Sequence, residues 1–207
     1  MIPPGREDRG QATPLYMTAV VGLLFLVLVY FAFGQADLIR SGTQTAADAA
    51  AIAAAQDARD QLEVADFLDD LEDLVAGEVP SPPGSCGQAV RFAARNDATV
   101  TCDELTDGRW GFTVLATSGR PMGSSVIDGT EGEHATARAT AVVEPRCTFE
   151  PLPEDSGEPP VEDDEDEEPT PSPGSIVCDS QSWDIDPERL DLLPDMADLF
   201  TVRLAED

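Results

Sequence analysis

The chain has 207 residues, with 41 acidic and 12 basic side chains and a formal net charge of −29. All of the basic residues are arginines, and they are scattered along the chain. Because nucleic-acid binding needs clustered cations that neutralise phosphates, this composition argues against a nucleic-acid-binding protein.

An uncharged apolar segment near the N-terminus is the most informative part of the sequence. Residues 1–13 form a short polar tail, and residues 14–34 carry no charge. About 21 helical residues extend about 31 Å, which matches a hydrocarbon core of about 30 Å. Tyr16 and Tyr30 lie near the two ends, where aromatic rings favour the headgroup region. The pattern predicts a single transmembrane helix over residues 14–34.

A cleaved signal peptide is the alternative to a retained anchor. Signal peptides have apolar regions of about 7–15 residues, shorter than this one, although residues 32–34 resemble a weak cleavage site. Arg6 and Arg9 precede the segment and only Arg40 follows it closely. The positive-inside rule therefore predicts a cytoplasmic N-terminus, a single pass through the cell membrane and an extracytoplasmic remainder.

The anchor is expected to continue into an alanine-rich amphipathic helix over residues 35–77. Apolar residues recur there at three- and four-residue spacing, acidic residues fill much of the remainder, and Gly77 ends the pattern. Small side chains allow another element to approach closely. Packing against copies or partners and packing against the chain's own sheet both fit this face, which consists of Ala47, Ala51, Ala54 and Ala58.

Residues 85–149 predict a small α+β head. A short helix over CGQAVRFAARND is expected to turn Ala89, Val90, Phe92 and Ala93 inward. Two β-branched and aromatic runs flank an Asp-Gly turn, which predicts a β-hairpin. The alternating alanines of HATARATAVVEP then predict a third strand with one buried side. The predicted fold class is α+β with a small antiparallel sheet.

Four cysteines, Cys86, Cys102, Cys147 and Cys178, follow the anchor. An even number in an oxidising compartment predicts two disulfides, and three connectivities are open. We favour Cys86–Cys102 and Cys147–Cys178, because each closes a loop of about 15 to 30 residues, worth about 3 kcal/mol in the chain-entropy model. A zinc site is disfavoured because closely spaced ligand pairs are absent from the sequence.

The remaining sequence divides into two parts. Residues 150–174 are almost entirely acidic, proline and small polar residues, which predicts a disordered insertion. Its acidic run lacks the spacing of a calcium-binding EF-hand loop. Residues 175–207 predict a short helix that begins at Asp186, followed by a strand over TVRLA, both packed on the head.

No residues assemble into a nucleophile, base and orienting group. His134 is the single histidine and is expected at the surface, whereas Trp110 and Phe112 are expected in the core rather than in a ligand platform. Trp183 fits either a partner contact or packing on the head. We therefore expect a non-enzymatic protein without a cofactor or metal.

The segment RGQATPLYMTAVVGLLFLVLVYFAFGQADLIRSGTQTAADAAAIAAAQ combines a glycine, an apolar helix, a polar break and an alanine-rich signature. It resembles the N-terminal module of the TadE/TadG-like proteins of Flp (Tad) pilus systems, of the actinobacterial type. The resemblance implies a pseudopilin-like or pilus-assembly role, with an N-terminal helix in membrane or fibre that contacts other pilin-like or assembly proteins. Some members are cut by a prepilin peptidase after a glycine, and Gly10-Gln11 matches that position. Tyr16 follows as in processed members, but Leu15 replaces their usual Glu.

The leading hypothesis is thus a non-enzymatic, membrane-anchored component of a Flp/Tad-type pilus or of its assembly machinery. The alternative is a surface-anchored binding or adhesion module whose acidic loop contacts partners.

Overall fold

A computed structural model of the chain describes residues 12–121, 132–152, 172–179 and 181–205. One helix, α1, spans Ala12–Asp60 without a break. At 1.5 Å per residue it is about 74 Å long, far longer than the remaining elements. The predicted anchor and the start of the predicted alanine-rich helix are therefore one continuous rod.

The predicted end of the long helix at Gly77 is wrong. Helix α1 ends at Asp60, a 3₁₀ turn follows at Val64–Phe67, and a separate short helix, α2, spans Leu71–Ala76. Gly77 does terminate α2, in the left-handed conformation (φ 79°), and its N–H bonds to backbone carbonyls of the last turn. The chain reverses after Asp60 because Val64, Leu71 and Leu74 then become buried in the core.

The predicted head helix and strands are present. Helix α3 spans Cys86–Arg95, followed by β1 (Ala98–Glu104), β2 (Gly111–Pro121) and β3 (His134–Pro145). Gly108 provides the positive φ of 85° in the β1–β2 turn.

The inward face of α3 is narrower than predicted. Ala89 and Ala93 are fully buried one turn apart, and Phe92 is partly buried. Val90 lies about 100° around the helix from Ala89 and is exposed, so its predicted burial is wrong.

The first sheet has four antiparallel strands in the order β1-β2-β3-β7, in which β7 spans Phe200–Leu204. The predicted last strand is confirmed, since β7 pairs with the end of β3, for example Val202 with Val143. Helix α1 crosses one face of this sheet and contacts β2 and β3 most extensively. Helix α3 packs beside α1 and against β1.

A second sheet was not predicted. Strands β4 (Cys147–Pro151), β5 (Gly174–Cys178) and β6 (Gln181–Asp184) form a three-stranded antiparallel sheet. The ends of the predicted acidic insertion, residues 150–151 and 174, therefore belong to strands. The rest of that insertion, from residue 153 to residue 171, lies outside the described residues.

The helix predicted to begin at Asp186 is also wrong. The structure has a 3₁₀ turn at Leu190–Leu192 and then α4 at Met196–Leu199. Pro194 lies between them, and a proline disfavours helical backbone at the residue before it. Asp186 still acts locally, because its Oδ1 accepts a hydrogen bond from the Glu188 N–H (3.0 Å).

One hydrophobic core joins the two sheets to the helices. Phe200 at the start of β7 is 1% exposed, and its ring meets Trp110 edge-to-face with 5.3 Å between centroids. The fully buried core residues also include Leu74, Val114, Ile176, Ile185 and Leu199. The core therefore draws on every part of the head.

Candidate functional site

The N-terminal half of α1 is the most unusual surface of the molecule. Residues Thr13–Phe31 form a helix long and apolar enough to cross a membrane, and none of it is buried against the head. Large apolar side chains there are widely exposed, including Leu24 at 60% and Phe25 at 65%. Exposed apolar surface of this extent marks a membrane or a protein interface.

One polar side chain within this segment, that of Thr18, has its hydrogen bond inside the helix. The hydroxyl of Thr18 donates to the Pro14 carbonyl (2.8 Å), one turn earlier. The helix itself satisfies the backbone groups, which is the condition for crossing a bilayer. Tyr16 and Tyr30 are both exposed near the ends of the segment. The segment Thr13–Phe31 is thus compatible with a lipid environment.

The C-terminal half of α1 holds the head. Ala47, Ala51, Ala54 and Ala58 are each 0% exposed, and they pack against the chain's own sheet and α3. Of the two alternatives for this face, the structure shows packing within the chain. Alanine is required because larger side chains would separate the helix from β2 and β3. These four residues are therefore unavailable for contact with another molecule.

Two hydrogen bonds, one near each end of the buried part of α1, fix the helix on the sheet. Among the α1 side chains that the structure describes, Thr43 is the first that is buried, and its hydroxyl donates to the Ile39 carbonyl (2.7 Å). Gln44 Nε2 donates to the Arg138 carbonyl on β3 (3.2 Å), and Arg59 Nη1 donates to the Phe200 carbonyl on β7 (3.4 Å). Sequence reasoning missed these anchoring positions, because a polar residue at a helix–sheet contact has no periodic signal.

Two disulfides brace the head, Cys86–Cys102 and Cys147–Cys178. This is the connectivity that the loop lengths favoured. The first joins the start of α3 to β1, and the second joins paired positions on β4 and β5. All four cysteines are oxidised. This state is typical of an oxidising compartment.

Several ion pairs lie on the surface of the head. Arg203 on β7 donates two hydrogen bonds to Glu144 on β3, and these lower the pKa of that carboxyl group. Arg109 likewise lowers the pKa of Asp107 within the β1–β2 turn, chiefly through a side-chain hydrogen bond. Both pairs are solvent-exposed, so they contribute little to stability.

The aromatic residues and the histidine that the sequence singled out lie in the core of the head or at its surface. Trp110 and Phe112 are buried in the core, as predicted, and Trp183 is partly buried against it. His134 lies at the surface, and its Nδ1 is 2.6 Å from the Ser118 carbonyl. Across the ranges that the structure describes, no group of three or more potential metal ligands comes together. Gly10 and Gln11, the predicted prepilin-peptidase position, lie outside these ranges.

Residues 10–57 match the family model described as "Putative Flp pilus-assembly TadE/G-like". The N-terminal segment is TadE/G-like. The match confirms the resemblance inferred from the sequence, and it supports a role related to Flp pilus assembly and contact with other pilus components. No curated protein and no solved structure matches the chain.

The TadE/G-like segment coincides with α1. It begins two residues before the helix and ends three residues before Asp60, so it contains the apolar half and all of the alanine face except Ala58. The family model therefore describes the rod that joins the membrane-compatible segment to the head.

Proposed function

We propose that this protein is a non-enzymatic, membrane-anchored component of a Flp/Tad-type pilus or of its assembly machinery, in the manner of a minor pseudopilin. The N-terminus lies in the cytoplasm, and the disulfide-braced head lies outside the cell membrane. The observation that carries the proposal is the TadE/G-like rod, whose first half is exposed and apolar while its second half is the central element of the head.

The proposed orientation depends on charge and redox state. Arg6 and Arg9 precede the apolar segment, whereas Arg40 alone follows it closely. This asymmetry favours a cytoplasmic N-terminus. The two disulfides favour an extracytoplasmic head, because cytosolic thiols are kept reduced.

Association with other pilus proteins uses the exposed half of α1. The alanine face is occupied by the head, so the surface left for a neighbouring helix is Thr13–Phe31. Gly22 lies in this surface, and a Cβ added there would meet nothing within 4 Å. A small residue on a lipid-facing helix permits the close approach of a second helix. We therefore place a helix–helix contact at Gly22.

The variant Gly22→Leu tests this contact without disturbing the head. It keeps the segment apolar, so the protein should still reach the membrane with both disulfides formed. We expect it to lose co-purification with other pilin-like proteins from native membranes, whereas the neighbouring control Val21→Leu should retain them. Equal recovery of partners with the two variants would reject the contact at Gly22.

The mass of the native protein, recovered from both the membrane and the soluble fractions, tests processing. A chain that begins at Gln11 has been cut at the predicted prepilin-peptidase position, and a chain that retains residues 1–10 is an unprocessed anchor. A chain that begins at Gln35 has lost the apolar segment as a signal peptide. That last result would reject membrane anchoring, and with it the proposed function.

A further inference from the structure

The unbroken helix α1 fixes how far the head lies from the membrane. The apolar segment ends between Phe31 and Gly34, and the next charged residue is Asp37. At 1.5 Å per residue, Asp37 lies about 5 to 9 Å beyond the apolar segment. A headgroup layer of about 5 to 7 Å covers each side of the hydrocarbon core. The lower rim of the head therefore lies at headgroup depth.

A groove opens at this rim, between α1 and the start of β3. Its volume is about 510 Å³, and Gln44 closes one wall through its hydrogen bond to β3. The polar residues that line it are Asp37, Arg40, Ser41, Gln44, His134 and Thr136. A polar groove at headgroup depth is suited to a polar ligand of that layer.

The groove has one cationic and one anionic group that do not pair with each other. Asp37 and Arg40 lie three residues apart on α1 and are exposed. In the part of the chain that the structure describes, neither forms an ion pair, although carboxylates pair with Arg59, Arg109, Arg120, Arg146, Arg189 and Arg203. Both charges are therefore open to a ligand.

His134 adds an imidazole ring to the groove. Its Nδ1 is 2.6 Å from the Ser118 carbonyl oxygen. A carbonyl only accepts, so Nδ1 carries a proton, and in the corresponding neutral tautomer Nε2 is left as an acceptor. The groove thus offers donors on Arg40 and acceptors on Asp37 and His134.

We propose that this groove binds the headgroup of a zwitterionic aminophospholipid in the leaflet on the head side, an inference that rests on the proposed membrane anchor. Arg40 binds the phosphodiester, because a guanidinium presents paired N–H donors to phosphate oxygens. Asp37 and His134 accept hydrogen bonds from the ammonium group. A purely anionic headgroup fits less well, since the chain carries a net charge of −29 and would repel it.

Native mass spectrometry of the full chain, released from nanodiscs of defined lipid composition, tests the proposal. The nanodiscs contain phosphatidylcholine mixed with either phosphatidylethanolamine or phosphatidylglycerol. We expect the wild-type chain to retain phosphatidylethanolamine in preference to the other two lipids. Asp37→Asn and Arg40→Gln should each lower that retention about tenfold, the loss expected for one charge-assisted hydrogen bond. The charge-matched controls Glu72→Gln and Arg95→Gln, on α2 and α3, should retain it fully.

The possible failures are distinguishable. Equal lipid retention by the groove variants and their controls would overturn the binding site, while the anchor would stand if the chain co-elutes with nanodiscs. Preferred retention of phosphatidylglycerol, strengthened by Asp37→Asn, would overturn the zwitterionic ligand. A chain that does not enter nanodiscs at all would overturn both the groove proposal and the membrane anchor.

Discussion

Ala51→Leu tests whether the alanine face of α1 belongs to the head. Ala51 is 0% exposed in the middle of a run of buried alanines that lies against the sheet and α3. Leucine adds three carbons where the packing leaves no room, and overpacking of this kind costs about 1–3 kcal/mol, occasionally more. A domain of this size is stabilised by about 5–15 kcal/mol, so the loss is readily measured.

The assay is urea unfolding of the full chain in detergent, followed by tryptophan fluorescence, to which the buried Trp110 and the partly buried Trp183 both contribute. Gln56→Leu is the matched control, because Gln56 is exposed on the same helix. Glutamine and leucine also have similar helix propensity. The control should change stability by less than about 0.5 kcal/mol. If Ala51→Leu unfolds at the same urea concentration as Gln56→Leu, the alanine face does not pack on the head and the reasoning fails.

Three further predictions concern the head. Phe200→Ala should lower the free energy of unfolding by about 3–5 kcal/mol, measured by urea titration, and should red-shift the emission of Trp110 because the ring contact is lost. Reduction of both disulfides, which span 16 and 31 residues, should cost about 3 kcal/mol or more for each; an unchanged urea midpoint in reductant would contradict this. Arg203 lowers the pKa of Glu144 from 4.5. The small contribution of this ion pair to the free energy of unfolding should therefore be fully present above pH 4.5 and be lost as the pH falls through the lowered pKa. Arg203→Gln should abolish this loss of stability at acid pH. The single variant Arg203→Gln and the double variant with Glu144→Gln should then show the same dependence of the free energy of unfolding on pH.

The elements with strong local patterns could be predicted from the sequence. The β1–β2 hairpin has an Asp-Gly turn between β-branched runs, and β3 alternates alanine with polar residues. The uncharged run over residues 14–34 predicts the apolar half of α1, and it is part of the segment that resembles the family. In each case the signal lies within one continuous stretch of at most about two dozen residues.

The end of α1 could not be read from apolar spacing, because that spacing continues past Asp60 to Val75. What ends the helix is the burial of Val64 and Leu74 on the far side of a chain reversal, a long-range effect. One local signal was present. Acidic residues three and four apart, such as Asp57 and Asp60, repel each other along a helix.

The second sheet depends on a contact that is distant in sequence. Cys147 and Cys178 are directly opposite in β4 and β5, and their pairing sets the register of both strands. The strands are only five residues long, so their hydrophobic alternation is too short to detect. The groove between α1 and β3 could not be predicted for the same reason, since Arg40 and His134 line one groove only after β3 packs on α1.

The most direct test of the central claim is the location and redox state of the native protein. Intact cells are treated with protease and a membrane-impermeant thiol reagent, then fractionated. We expect the chain in the membrane fraction, with all four cysteines oxidised and the head cleaved from outside. A chain recovered in the cytosol with its apolar segment present and its thiols reduced would contradict the account.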